Sequence, residues 1–220
     1  MINYKQVRET SFKKIAVKSW DEVLDYWIFV STLVLTLTLA LYFIRYFLLL
    51  ALNLFHGEWL IFFSIVFLLI EVVLVIFAIE CIILCSILLH EKKRISILDV
   101  IQDSYEKYYR FLPTILLFIV VSAVSLILFV IPAFFVVPKY SLSLVICLRE
   151  SNDPVRALKR SAKLTRGNFP ASFWVVITSA ILFLVIRIPI VGWLFGVFFA
   201  VPFIANTLVL LYYELKKTYV

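Results

Sequence analysis

The positive charges of this chain are confined to a few short stretches of its sequence. All 21 Lys and Arg residues except Arg45, Lys139 and Arg187 lie in three hydrophilic blocks and a short C-terminal tail. Between the blocks the chain is almost entirely apolar, over residues 27–51, 59–89, 112–131, 132–148, 171–190 and 191–213. Each stretch is close to the length of about 20 helical residues that a roughly 30 Å hydrocarbon core requires. The pattern therefore predicts six membrane-spanning helices.

The composition agrees with this prediction. Hydrophobic residues make up 64% of the 220 residues, compared with roughly 45–50% in soluble domains. The third and fourth apolar stretches adjoin without a polar linker, and so do the fifth and sixth. We therefore expect an all-α, polytopic membrane protein whose six transmembrane helices form three hairpins, over residues 27–89, 111–148 and 170–214.

The positions of the basic blocks also predict the orientation of the chain. One block precedes the first span, two follow the second and fourth spans, and the tail follows the sixth, whereas the opposite turns carry almost no Lys or Arg. Because Lys and Arg concentrate in cytoplasmic loops, both termini are expected in the cytoplasm, with the protein in the plasma (inner) membrane. The net charge of +7 then reflects topology and does not indicate nucleic-acid binding.

The basic block over residues 153–167 has the sequence of a short amphipathic helix. Asp153 is suited to the N-cap, Pro154 to the first helical position and Gly167 to the C-terminal stop. At 100° per residue, five cations fall within an arc of about 120°: Arg156, Lys159, Arg160, Lys163 and Arg166. Such a helix would lie at the inner membrane surface and bind anionic lipid headgroups or a protein partner. A loop that serves only topology fits the pattern equally well.

The two other blocks, over residues 1–26 and 96–110, are also predicted to form interfacial helices. Ser96 and Asp99 have the spacing of a capping box, and the N-terminal block mixes basic with aromatic residues in the way typical of an interfacial helix. Residues 27–220 would then form the six-helix membrane domain.

Prolines suggest an internal repeat in the second and third predicted hairpins. Pro113 and Pro132 have the same separation as Pro170 and Pro189, so the two segments align at an offset of 57 residues. Both copies would enter the membrane from the same side. The repeat would therefore be parallel, as in a bundle of hairpins with pseudosymmetry.

Five ionisable residues lie within the predicted spans: Arg45, Glu71, Glu80, Lys139 and Arg187. An unpaired charge at the bilayer centre costs at least about 2.5–3.5 kcal/mol, so each residue should find a partner, water or the interface. Arg45 and Arg187 are expected to reach the outer interface. Glu71 and Lys139 lie deeper and are expected to pair with each other. Glu80 should lie near the inner interface beside a cation. A polar cavity for a proton, an ion or a lipid headgroup is the alternative to structural pairing.

The sequence shows no motif of an enzyme or of a metal or cofactor site. It has no zinc-protease helix, phosphate-binding loop or nucleophile elbow, and His56 and His90 have no carboxylate at ligand spacing. We therefore expect no catalysis and no cofactor. The leading hypothesis is a membrane module that binds anionic lipid, or that scaffolds a protein partner or a homo-oligomer, through its basic helices. The alternative is a small-solute or lipid transporter with a polar site inside the membrane.

From residue 80 onward the order of features resembles a family of small bacterial and archaeal membrane proteins, grouped with the glycerophosphodiester phosphodiesterase membrane domain and the YciC-like proteins. The resemblance is carried by Ile131-Pro132 and, most specifically, by Ala-Leu-x-Arg-Ser-x-x-Leu-Thr-x-Gly-Asn, from Ala157 to Asn168. It implies a multi-spanning helical fold. It does not imply phosphodiesterase activity, because that activity belongs to a fused TIM barrel of about 250 residues.

Overall fold

The fold is built from α-helices. The computed structural model describes residues 12–52, 58–91, 96–128, 130–150, 153–186, 188 and 191–219, and no strand occurs among them. The helices are α1 (Phe12–Leu52), α2 (Glu58–Glu91), α3 (Ile97–Leu128), α4 (Val130–Tyr140), α5 (Ser143–Arg149), α6 (Pro154–Thr165), α7 (Phe169–Ile186), α8 (Val191–Phe195) and α9 (Val201–Tyr219), with a π-helical turn (Gly196–Ala200) between the last two.

Six stretches of these helices are long and apolar enough to cross a membrane. They are Ile28–Leu50, Trp59–Glu91, Ile97–Ile127, Pro132–Arg149, Phe169–Ile186 and Gly196–Lys217. The prediction of an all-α fold with six helical stretches suited to span a membrane is confirmed.

The predicted interfacial helices over residues 1–26 and 96–110 are not separate helices where the structure describes them. Residues 12–26 are the first part of α1, and residues 97–110 are the first part of α3, which continues through Pro113. Residues 1–11 lie outside the described part of the chain. The physical reason is that extending a helix costs little, whereas starting a second one requires a new nucleus.

The start of α3 and its buried face explain this continuity. The backbone N–H of Ser96 donates to Asp99 Oδ2 at 3.1 Å, and the N–H of Leu98 donates to Ser96 Oγ at 3.3 Å. The predicted capping box is therefore confirmed. Val100, Phe111 and Ile115 are all buried at helical spacing, so one face of α3 packs against the protein on both sides of the block boundary.

The fourth predicted span is interrupted. α4 ends at Tyr140 and α5 begins at Ser143 after a two-residue turn. Within this turn Ser141 Oγ donates to the backbone carbonyl of Pro138 at 3.0 Å. Since Pro138 itself has no N–H to donate, the helix is already weakened there. The break leaves α5 to pack on α3 and allows α6 to return beside the end of α4.

The buried core and the exposed apolar surface lie in different parts of the helices. On α2, large apolar side chains are exposed over much of residues 59–75, whereas Ile83, Leu84, Ile87 and Leu88 are buried. The buried core continues through α5 and the second half of α9. Extensive exposed apolar surface marks contact with a partner or a membrane. One half of the protein therefore has an apolar surface that can contact lipid, and the other half contains the buried core.

Candidate functional site

Helix α6 forms as its sequence predicts. Asp153 Oδ1 accepts a hydrogen bond from the N–H of Val155 at 2.9 Å, and Pro154 occupies the first helical position. The helix ends at Thr165, and Gly167 follows with a φ of 98°. Glycine adopts this left-handed conformation without the steric cost that other residues incur. The predicted N-cap, first-turn proline and glycine stop are confirmed.

Two hydroxyl groups of α6 fix it to the end of α4. Ser161 Oγ and Thr165 Oγ1 donate to the backbone carbonyl of Lys139, at 2.8 and 3.3 Å, and both side chains are buried. Lys139 lies in the last turn of α4, where backbone carbonyls have no partner within the helix. The hydroxyls satisfy this carbonyl and thereby hold the polar helix α6 against the apolar helix α4.

A groove with a volume of about 630 Å³ lies where α6 meets the end of α4. We call it the basic groove. The residues that line it are Lys139, Lys159, Ala162, Lys163, Thr165, Arg166, Gly167 and Phe169. Four of these residues are cationic and none is acidic. The groove is therefore suited to an anion.

The five cations predicted on one arc of α6 divide between two environments. Arg156 Nε lies 3.4 Å from Asp153 Oδ2, and Arg160 Nε lies 3.4 Å from Glu150 Oε2. The remaining three line the basic groove: Lys159, Lys163 and Arg166. Periodicity placed all five on one face. Asp153 is a near neighbour of Arg156 in the sequence, whereas the contact of Arg160 with Glu150 was located only by the structure.

The predicted ion pair between Glu71 and Lys139 is not formed. Arg45 of α1 takes the place of Lys139, with its Nη1 3.6 Å from Glu71 Oε1. Lys139 is exposed, its Nζ lies 5.6 Å from the ring centroid of Tyr140, and its side chain lines the basic groove. The reason is that α4 ends one residue later, so Lys139 meets α6 and not the interior of the bundle. Arg187 lies outside the described residues.

The structure buries Glu80, which makes no direct ion pair with a described cation. Its side chain is fully buried, and neither carboxylate oxygen has a hydrogen-bond partner among the residues that the structure describes. Lys107 and Tyr108 of α3 interact with it electrostatically, but no cation of the described chain lies within 4 Å of it. Burying a polar group without a hydrogen bond costs roughly 1–3 kcal/mol. Burial of the Glu80 carboxyl group therefore lowers the stability of the folded protein.

A second charged cluster, which we call the clasp, joins the ends of α2 and α5 to the middle of α6 and the second half of α9. Its members are Glu91, Arg149, Glu150, Arg160, Tyr212, Tyr213 and Lys216. Glu150 Oε1 accepts a hydrogen bond from the Tyr212 hydroxyl at 2.7 Å and lies 2.6 Å from Lys216 Nζ. Arg149 Nε lies 2.6 Å from Glu91 Oε1, to which the Tyr213 hydroxyl also donates.

The clasp changes the acidity of Glu150. Burial alone raises the pKa of its carboxyl, but the hydrogen bonds from Lys216 and Tyr212 and the charges of Lys216 and Arg160 outweigh burial and hold the pKa below the ordinary value of 4.5. Sequence analysis missed this cluster, because Glu150 lies far along the chain from Tyr212 and Lys216 and no periodic pattern connects them.

Among the described residues, no three His, Cys, Asp or Glu side chains are placed to hold a metal ion. Comparison of the chain with protein-family models, with curated proteins and with solved structures gives no match. The family resemblance of residues 157–168 therefore stays a prediction.

Proposed function

We propose that this protein binds the headgroup of an anionic lipid in the basic groove. The observation that carries the proposal is the convergence of Lys139, Lys159, Lys163 and Arg166 on one groove whose lining contains no carboxylate. Like charges that line one groove repel one another. A bound phosphate removes this repulsion and can accept hydrogen bonds from the ammonium groups, each of which has three donors.

The position of the groove favours a lipid over a soluble anion or a protein partner. Phe134 and Phe135, on the turn of α4 that precedes Lys139, are exposed, so apolar surface adjoins the cations directly. Lipid headgroups lie at such a boundary between apolar and polar surface. Each cation near an anionic membrane surface contributes roughly 1 kcal/mol of attraction. The segment that forms one wall of the groove also carries the family resemblance, and we propose on that basis that the chain belongs to that family.

We propose that the groove opens toward the cytoplasm, with both termini on that side of the plasma membrane, because Lys and Arg favour the cytoplasmic side. A cysteine introduced at Lys217, which is 66% exposed, should react with a membrane-impermeant maleimide only after the cells are permeabilised. The three native cysteines are buried and give little background. A cysteine at Trp59, at the other end of the protein, is the matched control and should react in intact cells. The reverse labelling pattern would contradict the orientation.

Removing two cations from the groove tests the lipid site. The double variant Lys159→Gln/Lys163→Gln should bind dioleoylphosphatidylglycerol about tenfold more weakly, since two contributions of roughly 1 kcal/mol are lost and the remaining cations compensate in part. The difference should shrink as salt concentration rises. Native mass spectrometry with lipid titration measures both effects.

The control is Arg156→Gln/Lys217→Gln, which changes the net charge equally. Each of these cations instead pairs with an acidic residue three positions earlier in the chain, Arg156 with Asp153 and Lys217 with Glu214. We expect this variant to bind the lipid nearly as well as the parent. Equal losses in the two double variants would show that overall charge, and not the groove, controls binding.

The transport hypothesis drew on a shared polar site at Glu71 and Lys139. Its support is weaker in this arrangement, because Glu71 lies beside Arg45 and Lys139 lines the groove. Buried Glu80 is the residue that still favours it, and a substitution of that residue is considered in the Discussion.

A further inference from the structure

We propose that an acyl chain of the bound lipid lies in an apolar cavity between α4 and α7, so that headgroup and chain occupy two adjoining compartments. This inference rests on the proposed headgroup site and deepens it, because it makes the ligand an intact lipid and not a free phosphate compound.

The apolar cavity has a volume of about 200 Å³. Ala133, Val137 and Pro138 of α4 form one wall, and Phe173, Ile177 and Ala180 of α7 form the other. All of the residues that line it are apolar. In a membrane, an open cavity of this kind is filled by hydrocarbon, since unfilled space would forfeit the dispersion contacts of its lining atoms.

The cavity and the basic groove adjoin along both helices. On α4, Pro138 lines the cavity and the next residue, Lys139, lines the groove. On α7, Phe173 lines the cavity and Phe169, one turn earlier, lines the groove, with their ring centroids 5.8 Å apart. Phe135 stacks on Phe169 at 5.5 Å. A molecule that fills both compartments must be anionic at one end and apolar at the other.

The molecule that fits both compartments is an anionic phospholipid. The four cations match a phosphate, and the cavity begins one residue away, so the chain attached to that phosphate is the nearest hydrocarbon. Within a bilayer, lipid tails are as apolar as Leu side chains, so affinity must come from close packing and not from a hydrophobic driving force. The small side chains of Ala133 and Ala180 provide the space for that packing.

Filling the cavity with a side chain tests the inference. Ala180 is exposed at the cavity, so Ala180→Trp can be accommodated and should occupy the space of the acyl chain. The matched control is Ala123→Trp on α3. Ala123 is also exposed, is not among the residues that line the cavity, and aligns with Ala180 at the repeat offset of 57 residues. Equal thermal midpoints of the two variants would show that both are folded, and Ala180→Leu serves as a milder substitution if they differ.

Two probes with the same headgroup separate the compartments: dioleoylphosphatidylglycerol, and glycerophosphoglycerol, which has no chains. We expect Ala180→Trp to bind the dioleoyl lipid about tenfold more weakly than Ala123→Trp, while the affinity for glycerophosphoglycerol is unchanged. Equal affinities of the two variants for the dioleoyl lipid would overturn the chain site. If instead Lys159→Gln/Lys163→Gln leaves the binding of glycerophosphoglycerol unaltered, the headgroup site fails, and a selective effect of Ala180→Trp still supports the chain site.

Discussion

Replacing Glu150 with alanine is expected to lower the free energy of unfolding by about 3 kcal/mol. Glu150 is the acceptor that joins three helices: it contacts Tyr212 and Lys216 of α9 at 2.7 and 2.6 Å, and Arg160 of α6 at 3.4 Å. A hydrogen bond to a charged group contributes roughly 1.5–3 kcal/mol. The three contacts share one carboxylate whose side chain is 21% exposed, so their sum is reduced by non-additivity and by solvent.

Thermal unfolding in detergent measures this loss as a decrease of roughly 6–12 °C in the midpoint. Asp103→Ala is the control, because Asp103 pairs with Lys107, four residues later on the same helix, at 3.9 Å. A surface pair of this kind contributes less than about 1 kcal/mol. If the two variants lose similar stability, the clasp does not hold α5, α6 and α9 together.

The same carboxylate gives stability a defined dependence on pH. The pKa of Glu150 lies below its ordinary value of 4.5 in the folded protein, so the folded state favours the ionised form. Its contribution is complete above pH 4.5 and is lost as pH falls through the lower folded pKa. The parent protein should therefore lose stability more steeply below pH 4.5 than Glu150→Gln, which cannot ionise. Parallel curves for the two proteins would show that another group controls the acid transition.

Replacing Glu80 with leucine is expected to raise the free energy of unfolding by about 2 kcal/mol, or the thermal midpoint by roughly 4–8 °C. The carboxyl group is buried without a hydrogen-bond partner among the described residues. An apolar side chain of similar size removes that desolvation cost and packs against the apolar core. Thermal unfolding in detergent is again the measurement.

Glu71→Leu is the matched control, because it makes the same substitution on the same helix but removes the partner of Arg45. We expect it to lower stability. If Glu80→Leu instead destabilises the protein by several kcal/mol, the carboxyl group of Glu80 has a stabilising partner in the folded state.

A stabilising Glu80→Leu would also bear on function. Ionisable residues within membrane spans are costly and commonly mark ion or proton pathways. The stabilised variant should therefore be compared with the parent for proton flux in proteoliposomes. Loss of flux in a more stable protein would support the transport hypothesis, whereas an absence of flux in both would leave Glu80 without a transport role.

The amino-acid sequence determined the features that depend on neighbouring residues. The six apolar stretches predict six spans because each must cover the same hydrocarbon thickness. Asp153, Pro154 and Gly167 predict the ends of α6 because a helix terminus is stabilised by side chains within a few residues of it. The capping box at Ser96 follows from the same local chemistry.

The proline repeat shows where local patterns stop being sufficient. Pro113 lies inside the continuous helix α3, whereas Pro170, which aligns with it, lies in the first turn of α7. Equivalent spacing in the sequence therefore gives two different positions in a helix. Pro113 is exposed, while Phe111 and Ile115 on either side of it are buried. Packing of that buried face against other helices keeps α3 continuous past the proline.

Only the tertiary structure decided which charged residues meet. Arg45, and not Lys139, pairs with Glu71, because the break after Tyr140 turns α4 toward α6 and the packing of α1 on α2 brings Arg45 close. Glu150 and Lys216 are likewise distant in sequence and adjacent in the fold. Such pairings depend on the lengths, breaks and crossing of helices, and these follow from packing of the whole chain, whereas the number of spans follows from the apolar pattern alone.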